Sequence, residues 1–421
     1  MSEATRAAID AVWRIESAKL IGALVRMVRD VGAAEDLAQE ALIAALEHWP
    51  VTGIPDNPGA WLVQTAKRRA IDAIRGRQLH DRKHGEIVAD TPAPARPDLE
   101  AALDDGVGDD LLRLMLIACH PILSREARAA LTLRLLGGLE IAEIARAFLV
   151  AEPTIQQRIV RAKRTLAEAR VPFEMPRGDE LATRIGSVLE VIYLIFNEGY
   201  SATSGDAWTR PELCDEALRL GRILAELVPG DAEVHGLVAL MELHASRLRA
   251  RVGADGEPVL LMDQDRARWD HLLVQRGLAA LARAEALGGP LGPYALQAAI
   301  SACHARARAA AETDWARIVA LYDGLVEVTQ SPIVELNRAV AVSFAFGPAA
   351  ALELVDELAA EPALAAYHLL PTVRGDLLAK LGRVDEARRD LEHAASLTHN
   401  ARERAMLLAR AATVAKPRAS S

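Results

Sequence analysis

The chain predicts an all-α protein: two small helical modules followed by a helical-repeat extension. It is half apolar (51%) yet only 4% aromatic, and β-branched runs are few, so strand material is scarce. Its apolar residues recur at three- and four-residue spacing, the period of a buried helix face. Loops rich in Gly and Pro punctuate the periodic stretches. A length of 421 residues leaves room for two or three domains.

Residues 5–30 read as one helix with Val12, Leu20, Ile21, Leu24, Val25 and Val28 inward, and Gly32 marks a turn. AAEDLAQEALIAALEH (33–48) reads as a second helix, with Leu37, Ala41, Leu42, Ala45 and Leu46 inward. Asp36, Gln39, Glu40, Ile43 and Glu47 line its other side. An acidic face interrupted by an isoleucine is either a docking surface or simply solvated. PVTGIPDNPG (50–59) is a loop, and AWLVQTAKRRAIDAIRGR (60–77) a third helix. That helix opens on Trp61 and sets Lys67, Arg68, Arg69, Arg75 and Arg77 against Asp72 alone. Cations beside an aromatic suit melted DNA, where charge follows the backbone and a ring stacks on a base. A lone Trp is equally suited to anchoring a core.

Periodicity lapses over 81–110, where Pro92, Pro94 and Pro97 precede Asp98, Glu100, Asp104, Asp105, Asp109 and Asp110: a flexible acidic linker. Helix resumes over 111–136, with Ser124 as an N-cap and Gly137-Gly138 as the stop. IAEIARAFLVAEPTIQQRIVRAKRTLAEA (141–169) then reads as a short helix, a tight turn and a longer basic helix. The first packs through Ile141, Ile144, Ala145 and Phe148; the second through a stripe of Ile155, Ile159, Ala162, Leu166 and Ala169. Pro153 suits the second helix's first turn, and Leu149 stands where many such turns have Gly. The opposite face carries Thr154, Gln157, Arg161 and Arg164, flanked by Arg158 and Lys163. This is the layout of a DNA-reading helix-turn-helix, in which Gln and Arg reach base edges and spare cations hold phosphates.

Composition narrows the function classes. A net charge of −9 means that DNA binding must rest on local basic patches. Cys119, Cys214 and Cys303 are far apart with no CxxC; the Cys119-His120 and Cys303-His304 pairs lack companion ligands, so buried reduced thiols are expected and no metal or cofactor. There is no Gly-rich phosphate loop, nucleophile elbow or His/Cys/carboxylate cluster in register, so no enzyme is expected. No leader sequence and no bilayer-length apolar run is read, so the expectation is a cytoplasmic protein without a membrane partner.

Three stretches in order resemble bacterial sigma factors of the extracytoplasmic-function type. Residues 33–49 resemble the part of region 2 that docks on core RNA polymerase. Residues 60–77 resemble the part that melts and reads the −10 element, and residues 123–166 resemble region 4, which reads the −35 element. The resemblance implies polymerase contacts at Asp36, Gln39 and Glu40, with Leu37 supporting their helix. It implies −10 contacts at Trp61, Gln64, Lys67, Arg68 and Arg75, although many relatives carry Asn where this chain has Arg68. It implies −35 contacts at Thr154, Gln156, Gln157, Arg158, Arg161, Lys163 and Arg164. Specific affinity then arises only when polymerase holds both modules at the right separation.

The expected division is region 2 over 1–80, the linker over 81–110, region 4 over 111–172 and an extension over 178–421. Within the extension, residues 276–287 show repeat-like Ala spacing, and residues 331–359 and 370–397 look like successive helical hairpins. Gly347 and Gly382 lie at matching turns, LAKLGRVDEA is similar to part of a tetratricopeptide repeat, and 314–325 is a degenerate earlier copy. The whole resembles the sigma subgroup with a helical-repeat extension; YLIFNEGYSA (193–202) and DQDRARWD (263–270) fit that subgroup. Asn197, Glu198 and Tyr200 read as a contact site for the sigma module or a ligand, or else as a helix end capped by Gly199 with Tyr200 folded back. Asp263 and Asp265 hold Arg268 or cap the next helix. The resemblance points to regulation through the extension, with a protein or ligand partner there. The competing reading is a helix-turn-helix activator with a sensor solenoid.

Overall fold

The computed structural model describes residues 3–84, 107–148, 150–200, 209–253, 259–398 and 401–414. Among them the regular structure is helical, with no β-strand. The chain forms two compact units, one of residues 1–205 and 209–228, the other of 206–208 and 229–421.

The first unit begins with α1 (Glu3–Val28), α2 (Val31–Thr52) and α3 (Pro58–His84), which pack on one another. Ile9, Leu20, Ile21, Leu24 and Val25 from α1 meet Ala34, Leu37, Ala38, Ala41 and Ala45 from α2 in the core, with Leu62, Ala66 and Ala70 from α3. Small residues at facing positions let these helices approach closely. The turn expected at Gly32 is made instead by Arg29, whose φ of 53° is left-handed. Gly32 lies inside α2, whose N-terminus is capped by Asp30 accepting from the Ala33 amide at 2.7 Å.

Most of the expected acidic linker lies outside the described residues. Its ends do not: residues 81–84 belong to α3 and 107–110 to α4 (Val107–Ala118). Asp110 is buried, paired to Arg26 on α1 at 3.5 Å and to Arg113 at 3.1 Å. Gly22 on α1 permits this approach, since a Cβ there would meet the Asp110 carbonyl at 3.0 Å. After a break at residues 119–124, α5 (Arg125–Leu135) starts at its Ser124 cap. The pair α6 (Ile141–Phe148) and α7 (Glu152–Glu168) follows, with Pro153 in the first turn of α7; Leu149 lies outside the described residues. Ile144, Ala145, Ile155, Ile159, Ala162 and Leu166 are buried between them, while Ala169 falls at the C-cap and is exposed.

The unit continues through α8 (Asp179–Tyr200) and α9 (Pro211–Leu227), which pack on each other and on α4; α8 also packs on α5. Compaction therefore does not end near residue 172. Gly199 is not a helix cap: it sits inside α8, where a Cβ would meet the Arg210 carbonyl and the Cys214 amide at 2.8 Å each. The residue is small because α9 crosses there. Tyr200 stacks on Phe196 at 5.7 Å.

In the second unit, α10 (Ala232–Ala245), α11 (His271–Ala286), α12 (Pro293–Arg306), α13 (Trp315–Thr329), α14 (Pro332–Ala345), α15 (Pro348–Leu358), α16 (Leu369–Lys380), α17 (Val384–Leu397) and α18 (Ala401–Val414) run in succession. From α12 onward each packs on the next. Gly292, the N-cap of α12, has no side chain to offer, so Glu233 on α10 accepts from the Tyr294 and Ala295 amides at 2.8 and 3.0 Å. Arg374 on α16 joins Asp356 on α15 at 2.7 Å to Asp390 on α17 at 2.8 Å. Gly347 and Gly382 both take positive φ, 98° and 77°, at the turns before α15 and α17. In DQDRARWD, Asp265 caps the short turn at Arg266–Arg268 and Asp270 caps α11, while Arg268 donates to the Arg249 carbonyl.

Candidate nucleic-acid interface

On α2, Leu37 is buried and Asp36 and Glu40 are exposed; Gln39 is half-buried, and Ile43 on the same outer side is 54% exposed. Glu40 pairs with Arg69 of α3 at 2.9 Å, and Gln39 donates to Glu35 at 2.9 Å.

On α3, Trp61 is half-buried and packs edge-on against the buried Trp49 of α2, ring centroids 5.4 Å apart. Trp49 is a neighbour that sequence reasoning did not single out, although it continues the apolar spacing of Leu42, Ala45 and Leu46 on α2. Trp61, Gln64, Arg68 and Arg75 fall within roughly 60° of one another around the helix, at 100° per residue. Gln64, Arg68 and Arg75 are exposed, so this face sets two guanidiniums beside a half-buried ring; Lys67, half-buried, lies to one side. Arg77 is in the helix, but its side chain lies outside the described residues.

On α7, Thr154, Gln157, Arg158, Arg161 and Arg164 share one face by the same helical rotation, and all but the half-buried Arg158 are exposed. Arg164 is tied to Glu168 at 3.0 Å. Gln156 and Lys163 point from a different side. Lys163 pairs with Glu35 of α2, and Arg134 of α5 donates to the same carboxylate at 2.8 Å. Burial pushes the Glu35 carboxyl up, but the two cations outweigh it and hold its pKa below the ordinary glutamate range.

The third group, Asn197, Glu198 and Tyr200, ends α8. Glu198 is ion-paired to Arg210, which also donates to the Ala147 carbonyl of α6 at 2.7 Å. Arg219 of α9 donates to the Leu136 carbonyl at 2.5 Å, and the buried Arg128 of α5 donates to Ser187 at 2.6 Å and Glu190 at 3.1 Å. These three arginines bind α8 and α9 to the helices around the helix-turn-helix. The described cysteines are all buried; Cys119 lies 3.3 Å from the Thr132 hydroxyl, and burial raises its thiol to about 12. Among the described residues no helix is long and apolar enough to cross a membrane.

A helix with an acidic outer face, a basic helix with a tryptophan and a helix-turn-helix, all in one compact unit, are the parts of a DNA-binding transcription protein. The profile of sigma-70 region 2 matches residues 14–80 and that of sigma-70 region 4 matches 113–166. A family of unknown function, DUF6596, matches 184–285. An uncharacterized protein of Rhizobium meliloti (strain 1021) is 43% identical over 388 residues, 92% of this chain and 91% of that protein. The ECF RNA polymerase sigma factor SigL of Mycobacterium tuberculosis is 32% identical over 144 residues, 34% of this chain and 77% of SigL. Its probable ECF RNA polymerase sigma factor SigI is 31% identical over 177 residues, 42% of this chain, which spans 60% of SigI. The chain belongs to the ECF RNA polymerase sigma factor family.

Proposed function

We propose that this sigma factor binds core RNA polymerase through the α2 face of Asp36, Gln39 and Glu40, with Leu37 holding that helix, and acts without catalysis of its own in the cytoplasm. Trp61, Gln64, Lys67, Arg68 and Arg75 engage the −10 element and trap its unstacked bases, so melting is driven by binding. Thr154, Gln157, Arg158, Arg161 and Arg164 address the −35 duplex; Gln156 and Lys163, on another side of α7, lie outside that face, and Lys163 is held by Glu35. The observation that carries this reading is the pair of exposed basic faces, on α3 and α7, in one unit with an acidic exposed α2 face. The extension regulates initiation, with its short tetratricopeptide-like hairpins as the surface for a regulatory protein or ligand. Asn197, Glu198 and Tyr200 form its contact with the helix-turn-helix, through Arg210.

Purified core polymerase with a promoter library tests this in vitro. Polymerase-dependent initiation from a defined −10/−35 pair supports it, and Arg68→Ala and Arg161→Ala each lower initiation about tenfold, as expected for losing a contact of 1–3 kcal/mol. Tight duplex binding without polymerase, and no initiation with it, would favour an activator.

A further inference from the structure

We infer that the second unit carries a binding pocket for a small organic anion, with an apolar body and a phosphate or carboxylate head, where α11 and α12 meet. The pocket is independent of the promoter reading proposed above; only an effect of its ligand on initiation would rest on that reading.

The hollow follows from the local sequence. Residues 305–308 alternate Ala, Arg, Ala, Arg as α12 ends at Arg306. The small alanines leave room for a cavity of about 290 Å³, and both arginines line it. Ligand clefts begin at roughly this size, about 300 Å³, so the occupant is small. The floor is apolar: Trp269 and Val274 are buried, and Ala305 packs on the same cluster. Arg306, Arg308 and His271 also line the cavity and are exposed. An apolar floor under a cationic rim selects a molecule divided in the same way.

Arg266 fixes the floor before any ligand arrives. Its guanidinium donates to the His304 carbonyl, to the Ala307 carbonyl at 2.6 Å and to the Thr313 hydroxyl at 3.3 Å. Carbonyls at the end of a helix lack intrahelical donors, and Arg266 satisfies those of α12. The same guanidinium lies 5.1 Å from the centroid of the Trp269 ring. A site ordered in advance loses less entropy on binding.

The rim charge has no acid to oppose it. No carboxylate lines the cavity. The acids close by in sequence are taken up by backbone amides: Asp265 accepts from Ala267 at 3.0 Å, Asp270 from Leu272 at 3.0 Å and Glu312 from Arg308 at 3.1 Å. Arg306 and Arg308 make no side-chain ion pair among the described residues. The buried indole N–H of Trp269 likewise has no acceptor among them. His304, beside the cavity, is kept neutral down to about pH 4 by burial and then by Arg247 and Arg266, so the local field is positive. In a chain of net charge −9, this is a place that draws an anion.

Isothermal titration of the full-length chain tests the pocket, with phenyl phosphate as the probe and inorganic phosphate and phenol as its two halves. Phenyl phosphate is expected to bind one-to-one, more tightly than either half, and more weakly as salt rises. Arg306→Gln and Arg308→Gln combined, with the fold checked by thermal melting, lower its affinity about tenfold or more through the loss of two charge-assisted hydrogen bonds. Ala305→Leu fills the hollow and weakens phenyl phosphate more than inorganic phosphate. Arg283→Gln, exposed on α11 and outside the lining, leaves the affinity unchanged. No saturable binding to the wild-type chain, inorganic phosphate binding as tightly as phenyl phosphate, or an unchanged affinity in the folded double variant would overturn the proposal. The titration contains neither polymerase nor DNA, so a failure of the sigma-factor reading is seen separately, as absent initiation with core polymerase.

Discussion

Glu35 concentrates at one residue the balance that runs through the first unit. Removing one partner of a buried ion pair leaves an uncompensated charge, costing about 3 kcal/mol. Glu35→Ala strands Arg134 and Lys163 in this way and is expected to lower the urea midpoint accordingly. Because the folded pKa of Glu35 is depressed, its stabilising contribution is complete above the ordinary glutamate range and is lost only as pH falls through the lowered value. The stability gap between wild type and Glu35→Gln should therefore hold from neutral pH down to that range and close below it. His304 has the opposite chemistry. Burial, Arg247 and Arg266 push its pKa to about 4, so the fold keeps it neutral. Between about pH 6.5, its unfolded value, and pH 4, only the unfolded chain binds the proton, so stability declines with acidity by up to about 1.4 kcal/mol per pH unit. Replacing His304 with Gln is expected to flatten that slope in urea titrations. Neither residue stood out in the sequence. Glu35 lies in AEDLAQE among carboxylates that are exposed, and Arg134, the partner that buries it, is 99 residues away. The Trp61 helix was legible because Trp and five cations against one aspartate form a local pattern.

At the scale of the element, α8 carries two glycines with opposite roles. At Gly199 a methyl group would strike backbone of α9, which has no rotamer to yield, whereas at Gly186 it would meet nothing within 4 Å. Gly199→Ala is therefore expected to lower the melting temperature, at a cost of about 1–3 kcal/mol from overpacking. Gly186→Ala should raise it, by up to about 1 kcal/mol from helix propensity. Thermal melts of the two variants against wild type check both signs. Periodicity located the helix-turn-helix well, since apolar spacing and Pro153 are properties of neighbouring residues. It could not distinguish a glycine that ends a helix from one that admits a crossing helix, because that depends on where α9 lies.

For the whole molecule, family resemblance places the end of an ordinary sigma module near residue 170, but compaction runs to residue 228. A chain ending at residue 175 loses Ser187 and Glu190 from the buried Arg128, and loses Arg210 and Arg219 from the carbonyls of Ala147 and Leu136. It is expected to aggregate or melt well below a chain ending at residue 228, which keeps all four; size exclusion and thermal melts compare them. The sequence by itself determined the helical class, because that follows from local periodicity, and its resemblance to sigma factors gave the order of regions 2 and 4; Asp36, Glu40, Gln64, Arg68, Arg75, Thr154, Gln157, Arg161 and Arg164 are exposed, whereas Gln39, Trp61, Lys67, Arg158 and Lys163 are half-buried. Only the tertiary structure decided that α8 and α9 fold with the sigma module, that Lys163 turns to Glu35, and that Gly199 is a crossing point. Each of these depends on pairing between residues of separate helices, for which one-dimensional spacing carries no signal and burial supplies the energy.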